Sequence, residues 1–155
     1  MLVFSFLESN SQKIVFDIVS HTHWYLFLID RFLDSDAHNW ARYDSDLGYL
    51  PKTSTVRDGI DGSRSTYTYA QRSDTTRERL MINHADAPCR INTYGNSFTQ
   101  CHQVSDGETW QEDLAAHFGE PIRNFGVGGH GVYQAYQRML REESAETSAD
   151  YVIFN

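Results

Sequence analysis

The sequence is poor in cysteine, in basic residues and in long apolar runs, and each shortage excludes a class of protein. Two cysteines, Cys89 and Cys101, are too few for a disulfide framework and lack the CxxC spacing of a zinc site. Lys and Arg total 13 against 21 Asp and Glu, which gives a formal net charge of -8. Because nucleic acid and anionic membranes both require a basic face, this acidity argues against either partner.

The most apolar stretch of the chain, residues 24–33, is interrupted by Asp30 and Arg31. It is far shorter than the ~20 apolar residues of a membrane-spanning helix, so we expect no membrane span. The apolar start, residues 1–7, has no basic flank before it, and no small-residue cleavage pattern follows it. The sequence therefore indicates no signal peptide and favours a cytoplasmic location.

The chain divides into two segments of different pattern, with a boundary at residue 89. Apolar residues recur at intervals of three and four within residues 14–33, which predicts helix. Residues 43–79 are rich in Ser, Thr, Asp, Gly and Tyr, which is typical of short antiparallel strands and loops. We interpret residues 1–89 as an irregular α+β accessory segment, either a lid or a β-region packed beside a sheet.

Residues 90–155 alternate between short β-rich runs and helical patterns. The predicted strands are residues 90–94, 121–125 and 151–154, and the predicted helices are residues 108–118 and 132–143. Strands separated by helices pair in parallel through right-handed crossovers. The order βαβαβ therefore predicts an α/β fold with a three-layer parallel sheet.

Two unusual sequences fall in the loops that follow the first two predicted strands of this segment. Gly-Asn-Ser-Phe-Thr occupies residues 95–99, and Gly-Val-Gly-Gly-His-Gly occupies residues 126–131. In a parallel sheet, the loops at the carboxyl ends of the strands meet at one edge, where ligands bind. We therefore expect the two loops to be neighbours and to form one site.

Taken together, the two loops resemble the first two sequence blocks of SGNH/GDSL-type hydrolases. The first block, Gly-Asp-Ser-x-Thr, matches residues 95–99 with Asn96 in place of Asp, and the second, Asn-x-Gly-x-x-Gly, matches residues 124–129. Residues 43–49 also look like a Tyr-Asp-x-x-Leu-Gly lead-in of some members. The resemblance implies a flavodoxin-like fold, with residues 90–155 as the N-terminal half of a truncated SGNH hydrolase-like domain.

The resemblance implies a serine esterase, with a role for each of five residues. Ser97 would be the nucleophile of an acyl-enzyme mechanism. The backbone N–H groups of Ser97 and Gly129 would form part of an oxyanion hole, which stabilises the negative charge of the tetrahedral intermediate. Asn96, Gly128 and His130 would lie on the substrate-binding surface. The substrate would be a small-molecule or carbohydrate ester, and neither a metal nor a cofactor is implied.

The family's third-block Asn and its Asp-x-x-His motif have no counterpart in the matched residues. Asn155 comes too early after the third strand for the third-block role. We therefore expect the catalytic base to come from elsewhere, and residues 1–155 alone to show little or no esterase activity. In such a truncated sheet, an exposed strand edge at residues 151–154 would favour self-association.

Other interpretations of the same residues remain open at this point. The chain could be an O-acyltransferase, or a non-catalytic SGNH-like module that binds a carbohydrate or another ligand. The glycines at positions 126, 128 and 131 also match the dinucleotide fingerprint. That fingerprint requires an acid at the end of the next strand, whereas Asp150 stands at the beginning of that strand. In the simplest interpretation, Ser97 only caps a turn.

Overall fold

The computed structural model describes residues 41–52, 54–57, 65–72 and 76–155. The helix predicted at residues 14–33 lies outside them. In chain order the elements are β1 (Ala41–Asp44), β2 (Gly48–Pro51), β3 (Ser54–Arg57), β4 (Thr66–Gln71), β5 (Arg77–Arg79), β6 (Ile91–Tyr94), α1 (Ser97–Gln100), α2 (Trp110–Phe118), β7 (Ile122–Asn124), α3 (Val132–Glu143) and β8 (Tyr151–Phe154).

Strands β6, β7 and β8 pair in parallel, with β6 in the middle. Successive side chains of β6 point to opposite faces of the sheet, as the pleat of a strand requires. Thr93 faces α2, where the Gln111 amide donates to its Oγ1 at 3.1 Å. Asn92 and Tyr94 face α3, where both donate to Glu143 Oε1, at 2.8 and 2.7 Å. The two helices therefore cover opposite faces, and the predicted βαβαβ unit is confirmed as three layers.

The sheet as a whole is mixed, because the antiparallel strands expected in a segment beside the sheet belong to the same sheet as the three parallel strands. The six strands lie in the order β3-β4-β5-β7-β6-β8, and β3, β4 and β5 form an antiparallel run. Arg79 of β5 pairs antiparallel with Asn124 of β7. The antiparallel strands thus join the outer edge of β7 through β5, which pairs with β7 groups that would otherwise have no strand partner on that side. The division of the chain at residue 89 stays a prediction.

Strands β1 and β2 form a separate hairpin that packs on the second loop. Asp44 Oδ1 accepts from the backbone N–H groups of Asp46 and Leu47, at 3.1 and 3.0 Å, and this closes the turn. Leu47 and Leu50 are buried against Val127 in the hydrophobic cluster of the described residues. The lead-in sequence of residues 43–49 therefore forms a hairpin on the surface of the second loop.

Helices α2 and α3 begin and end at residues with the expected capping chemistry. Thr109 Oγ1 accepts from the Glu112 N–H at the start of α2, and Gly119, with φ +74°, ends it in the left-handed conformation. At the start of α3, the Gln134 side chain accepts from the Gly131 N–H at 3.0 Å. Within the described part of the chain, neither these helices nor α1 has the length and apolar character needed to cross a membrane.

Candidate active site

Ser97 is the first residue of α1, directly after the turn that follows β6. Asn96 is the N-cap, and its Oδ1 accepts from the Phe98 N–H at 3.0 Å. An amide oxygen thus suffices to cap this short helix. Ser97 is half-buried, and its hydroxyl makes no hydrogen bond within the described residues.

The first loop begins at a glycine because α1 and the residue after β8 lie against it. A Cβ on Gly95 would be 2.2 Å from Thr99 Oγ1 and 2.4 Å from the carbonyl oxygen of Asn155. The Asn155 N–H also donates to the Tyr94 carbonyl at 2.9 Å. The carboxyl ends of β6 and β8 therefore meet at the loop that carries Ser97.

The second loop contacts the first through Asn124 and Gly126. Asn124 Nδ2 donates to the Thr99 carbonyl at 2.7 Å, while its Oδ1 accepts from the Gly126 N–H at 2.9 Å. A Cβ on Gly126 would lie 2.3 Å from the backbone nitrogen of Gln100. Because no side chain fits there, glycine is required for this approach. The two loops are therefore neighbours, as the sequence predicted.

Gly128 and Gly129 lie between Ser97 and the hairpin. A Cβ on Gly128 would be 3.9 Å from the Ser97 Cβ and 2.5 Å from Gln100 Oε1. Gly129 adopts φ +82°, and a Cβ there would be 2.5 Å from Tyr49 Oη. Position 129 therefore requires glycine for its backbone conformation as well as for space.

His130 is buried, with 4% of its surface exposed, and packs against the hairpin. Its ring meets that of Tyr49 edge-on at a centroid distance of 4.9 Å, and Nε2 donates to the Tyr49 carbonyl at 3.1 Å. Burial lowers the pKa of His130 below its usual value, although the bond to the Tyr49 carbonyl acts in the opposite direction. The structure thus places this predicted substrate-binding residue beside the site, as a support for the second loop. Its Nδ1 has no partner within the described residues.

Two buried side chains, those of Gln111 and Arg79, bind the backbone carbonyls at the carboxyl end of α1. Gln111 Nε2 donates to the Thr99 carbonyl at 2.9 Å. The guanidinium of Arg79 donates to the Gln100 carbonyl at 2.6 Å and also to the carbonyls of Cys101 and Val104. The carbonyls at the carboxyl end of α1, which have no partner within the helix, are thereby satisfied.

The described histidines are not arranged as a catalytic base. Among residues 41–52, 54–57, 65–72 and 76–155, no histidine ring is hydrogen-bonded to a carboxylate. The predicted site groups among these residues are the Ser97 hydroxyl and the backbone N–H groups of Ser97 and Gly129. Neither N–H is engaged in a hydrogen bond within the described residues. Free N–H donors aimed at an attacked carbonyl can stabilise the oxyanion that forms on it.

Sequence reasoning missed the residues that support these loops from a distance. Gln100 and Arg79 were not singled out, and Tyr49 was noted only as the end of the lead-in. Each acts on a residue far away in sequence; Tyr49 and Gly128, for example, are 79 positions apart. No local pattern signals such a contact.

Compared with family models, curated proteins and solved structures, the chain has no significant match.

Proposed function

We propose that this protein hydrolyses esters, or transfers their acyl groups to a hydroxyl acceptor, through an acyl-Ser97 intermediate. The observation that carries the proposal is the approach of the second loop to Ser97. Asn124 links the two loops, and the place of a Gly128 Cβ lies 3.9 Å from the Ser97 Cβ. A turn serine that only capped a helix would not need a glycine loop at this distance.

The strand order supports the same proposal. Counted from β6, the parallel strands lie in the order second-first-third, as at the start of a flavodoxin-like sheet. In such sheets the ligand site lies at the carboxyl ends of the strands, at the point where the order reverses. The order reverses at β6, because β7 and β8 lie on opposite sides of it, and Ser97 directly follows β6 in the first loop. We therefore propose that residues 90–155 form the first half of an SGNH-type domain of flavodoxin-like topology.

The proposed chemistry assigns each group one task. The Ser97 hydroxyl attacks the ester carbonyl and forms the acyl-enzyme as the alcohol leaves. The N–H groups of Ser97 and Gly129 stabilise the oxyanion, and loss of one such donor typically costs ~10²–10³ in rate. A histidine base from outside the described residues takes the serine proton and returns it to the leaving alcohol. The net charge of -8 favours a neutral or cationic substrate, such as a small or carbohydrate ester, over an anionic one.

Turnover of p-nitrophenyl acetate by the full-length protein tests this proposal. Ser97→Ala removes the nucleophile, so we expect activity to fall by about 10³ or more, with an unchanged circular dichroism spectrum. Ser144→Ala is the matched control, because Ser144 is an exposed serine at the other end of α3. Turnover that survives in Ser97→Ala would refute the assignment. Absence of turnover in the wild type would favour a non-catalytic binding module.

A further inference from the structure

Tyr49 contacts three consecutive residues of the second loop. Its hydroxyl donates to the Gly128 carbonyl at 2.8 Å. The place of a Gly129 Cβ lies 2.5 Å from the same hydroxyl, and the Tyr49 carbonyl accepts from His130 Nε2. A residue of the hairpin thus holds the part of the loop that carries the proposed oxyanion donor.

The bond to the Gly128 carbonyl also fixes the direction of an N–H group. The peptide bond between Gly128 and Gly129 is planar and trans, so its C=O and its N–H point in opposite directions. Because the carbonyl points to Tyr49, the Gly129 N–H points away from Tyr49. A Cβ on Gly128 would also lie close to the side chains of Ser97 and Gln100, which belong to α1. The peptide therefore lies between the hairpin and the first loop.

We infer that Tyr49 is a positioning residue, whose hydroxyl aims the Gly129 N–H at the carbonyl oxygen of an ester held against Ser97. The inference rests on the proposed function and adds a residue of the lead-in hairpin to its machinery. Without the hydroxyl, the turn at Gly128 and Gly129 keeps the hydrogen bond from the His130 N–H to the Val127 carbonyl, but the peptide between the two glycines loses its side-chain anchor, and neither glycine has a side chain to restrict its rotation. Burial raises the pKa of Tyr49, so the hydroxyl keeps its proton and remains a donor at neutral pH.

Tyr49→Phe in the full-length protein tests the inference, because it removes one oxygen and keeps the ring that packs against His130. We expect kcat for p-nitrophenyl acetate to fall about tenfold or more, since complete loss of an oxyanion donor costs ~10²–10³. We expect KM to change by less than about twofold, because the bond is used mainly in the transition state. A role confined to stability would leave kcat per folded molecule unchanged.

Tyr94→Phe is the matched control. It removes the same atom from a buried tyrosine whose hydroxyl donates to Glu143 Oε1, on the α3 face of β6. We expect this variant to retain the wild-type kcat even where its melting temperature is lower. A Tyr49→Phe variant with the kcat of Tyr94→Phe would overturn the positioning role alone. A wild-type protein without Ser97-dependent turnover would overturn the proposed function, and the inference with it.

Discussion

At the scale of single residues, Gly126 tests how closely the two loops approach. A Cβ there would lie 2.3 Å from the Gln100 nitrogen and 2.6 Å from the Thr99 carbonyl carbon, and neither backbone atom can move aside cheaply. We expect Gly126→Ala to lower the free energy of unfolding by about 2 kcal/mol, measured by urea denaturation. Gly131→Ala is the control, since its Cβ would meet nothing nearer than 3.8 Å. Gly131→Ala should lower the free energy of unfolding by less than about 1 kcal/mol. Equal losses in the two variants would contradict the close approach of the two loops at Gly126.

His130 makes the stability of the protein depend on pH. Burial lowers its pKa below the ordinary 6.5, so the unfolded chain binds a proton more readily than the folded chain does. The free energy of unfolding should therefore fall as the pH drops from 6.5 towards the folded pKa, and this loss should level off below it.

Urea denaturation at pH 7.5 and pH 5.5 measures this effect, with buffers chosen on either side of the ordinary histidine pKa of about 6.5. His130→Asn should remove part of the pH dependence. The same substitution at His117, whose side chain is exposed, should leave it in place. Identical pH dependence in His130→Asn and the wild type would contradict the burial of this ring.

The residue chemistry of the site could be predicted from the sequence only where it is local. The proximity of the two loops follows from motifs that stand next to strands, whereas the capping role of Asn96 was not predicted. The role of Tyr49 could not be predicted, because its partner lies 79 positions away and no periodicity links the two. The burial of His130 depends on the same hairpin, so it could not be predicted from the sequence either.

At the scale of elements, α3 and β8 have the predicted bounds, and three other elements, β6, α2 and β7, are shorter than predicted. Helix α2 begins at Trp110 instead of residue 108, because Thr109 caps it. Strand β7 begins at Ile122, after Pro121, which has no N–H to donate to a neighbouring strand. Amphipathic spacing thus located the elements, and capping chemistry decided where they begin.

Strand β5 shows where sequence patterns fail. Its sequence, Arg77-Glu78-Arg79, is typical of an exposed segment, yet all three residues are buried. Glu78 accepts from Arg72 Nε at 2.6 Å and lies 3.5 Å from Arg123 Nε. Buried charges of this kind are stable only when they are paired, and the pairing depends on the complete fold. Charge content alone could therefore not reveal this strand as an interior one.

Arg79 connects β5 to the helix that carries Ser97. Its buried guanidinium donates to three carbonyls at the end of α1 and in the turn that follows it, and pairs with Asp106 at 3.2 Å. We expect Arg79→Met to destabilise the protein by about 3 kcal/mol in urea denaturation, because the carbonyls and Asp106 lose their donor. Arg79→Lys should recover only part of this loss, since an ammonium lacks the planar fork.

Arg90→Met is the control for this prediction. Arg90 is exposed and pairs with Glu120 on the surface. Exposed ion pairs contribute little to stability, so this variant should unfold close to the wild type. A loss at Arg90 as large as the loss at Arg79 would contradict the interior role of Arg79.

At the scale of the whole molecule, β8 predicts self-association. It is one of the two edge strands of the described sheet, and its four apolar residues are between 37% and 58% exposed. An apolar edge of this kind pairs readily with other chains. We expect the 155-residue chain to sediment as concentration-dependent oligomers. Ile153→Lys should shift it towards monomer, whereas Leu80→Lys, at a similarly exposed apolar residue outside the strands, should not. Equal effects would show that β8 is not the contact.

The central claim is that the molecule presents one reactive serine at the junction of its two loops. Mass spectrometry of the full-length protein after reaction with a fluorophosphonate probe, followed by peptide mapping, measures this directly. We expect one adduct, on Ser97, and none in a folded Ser97→Ala variant. An adduct on another residue, or undiminished labelling of Ser97→Ala, would contradict the claim.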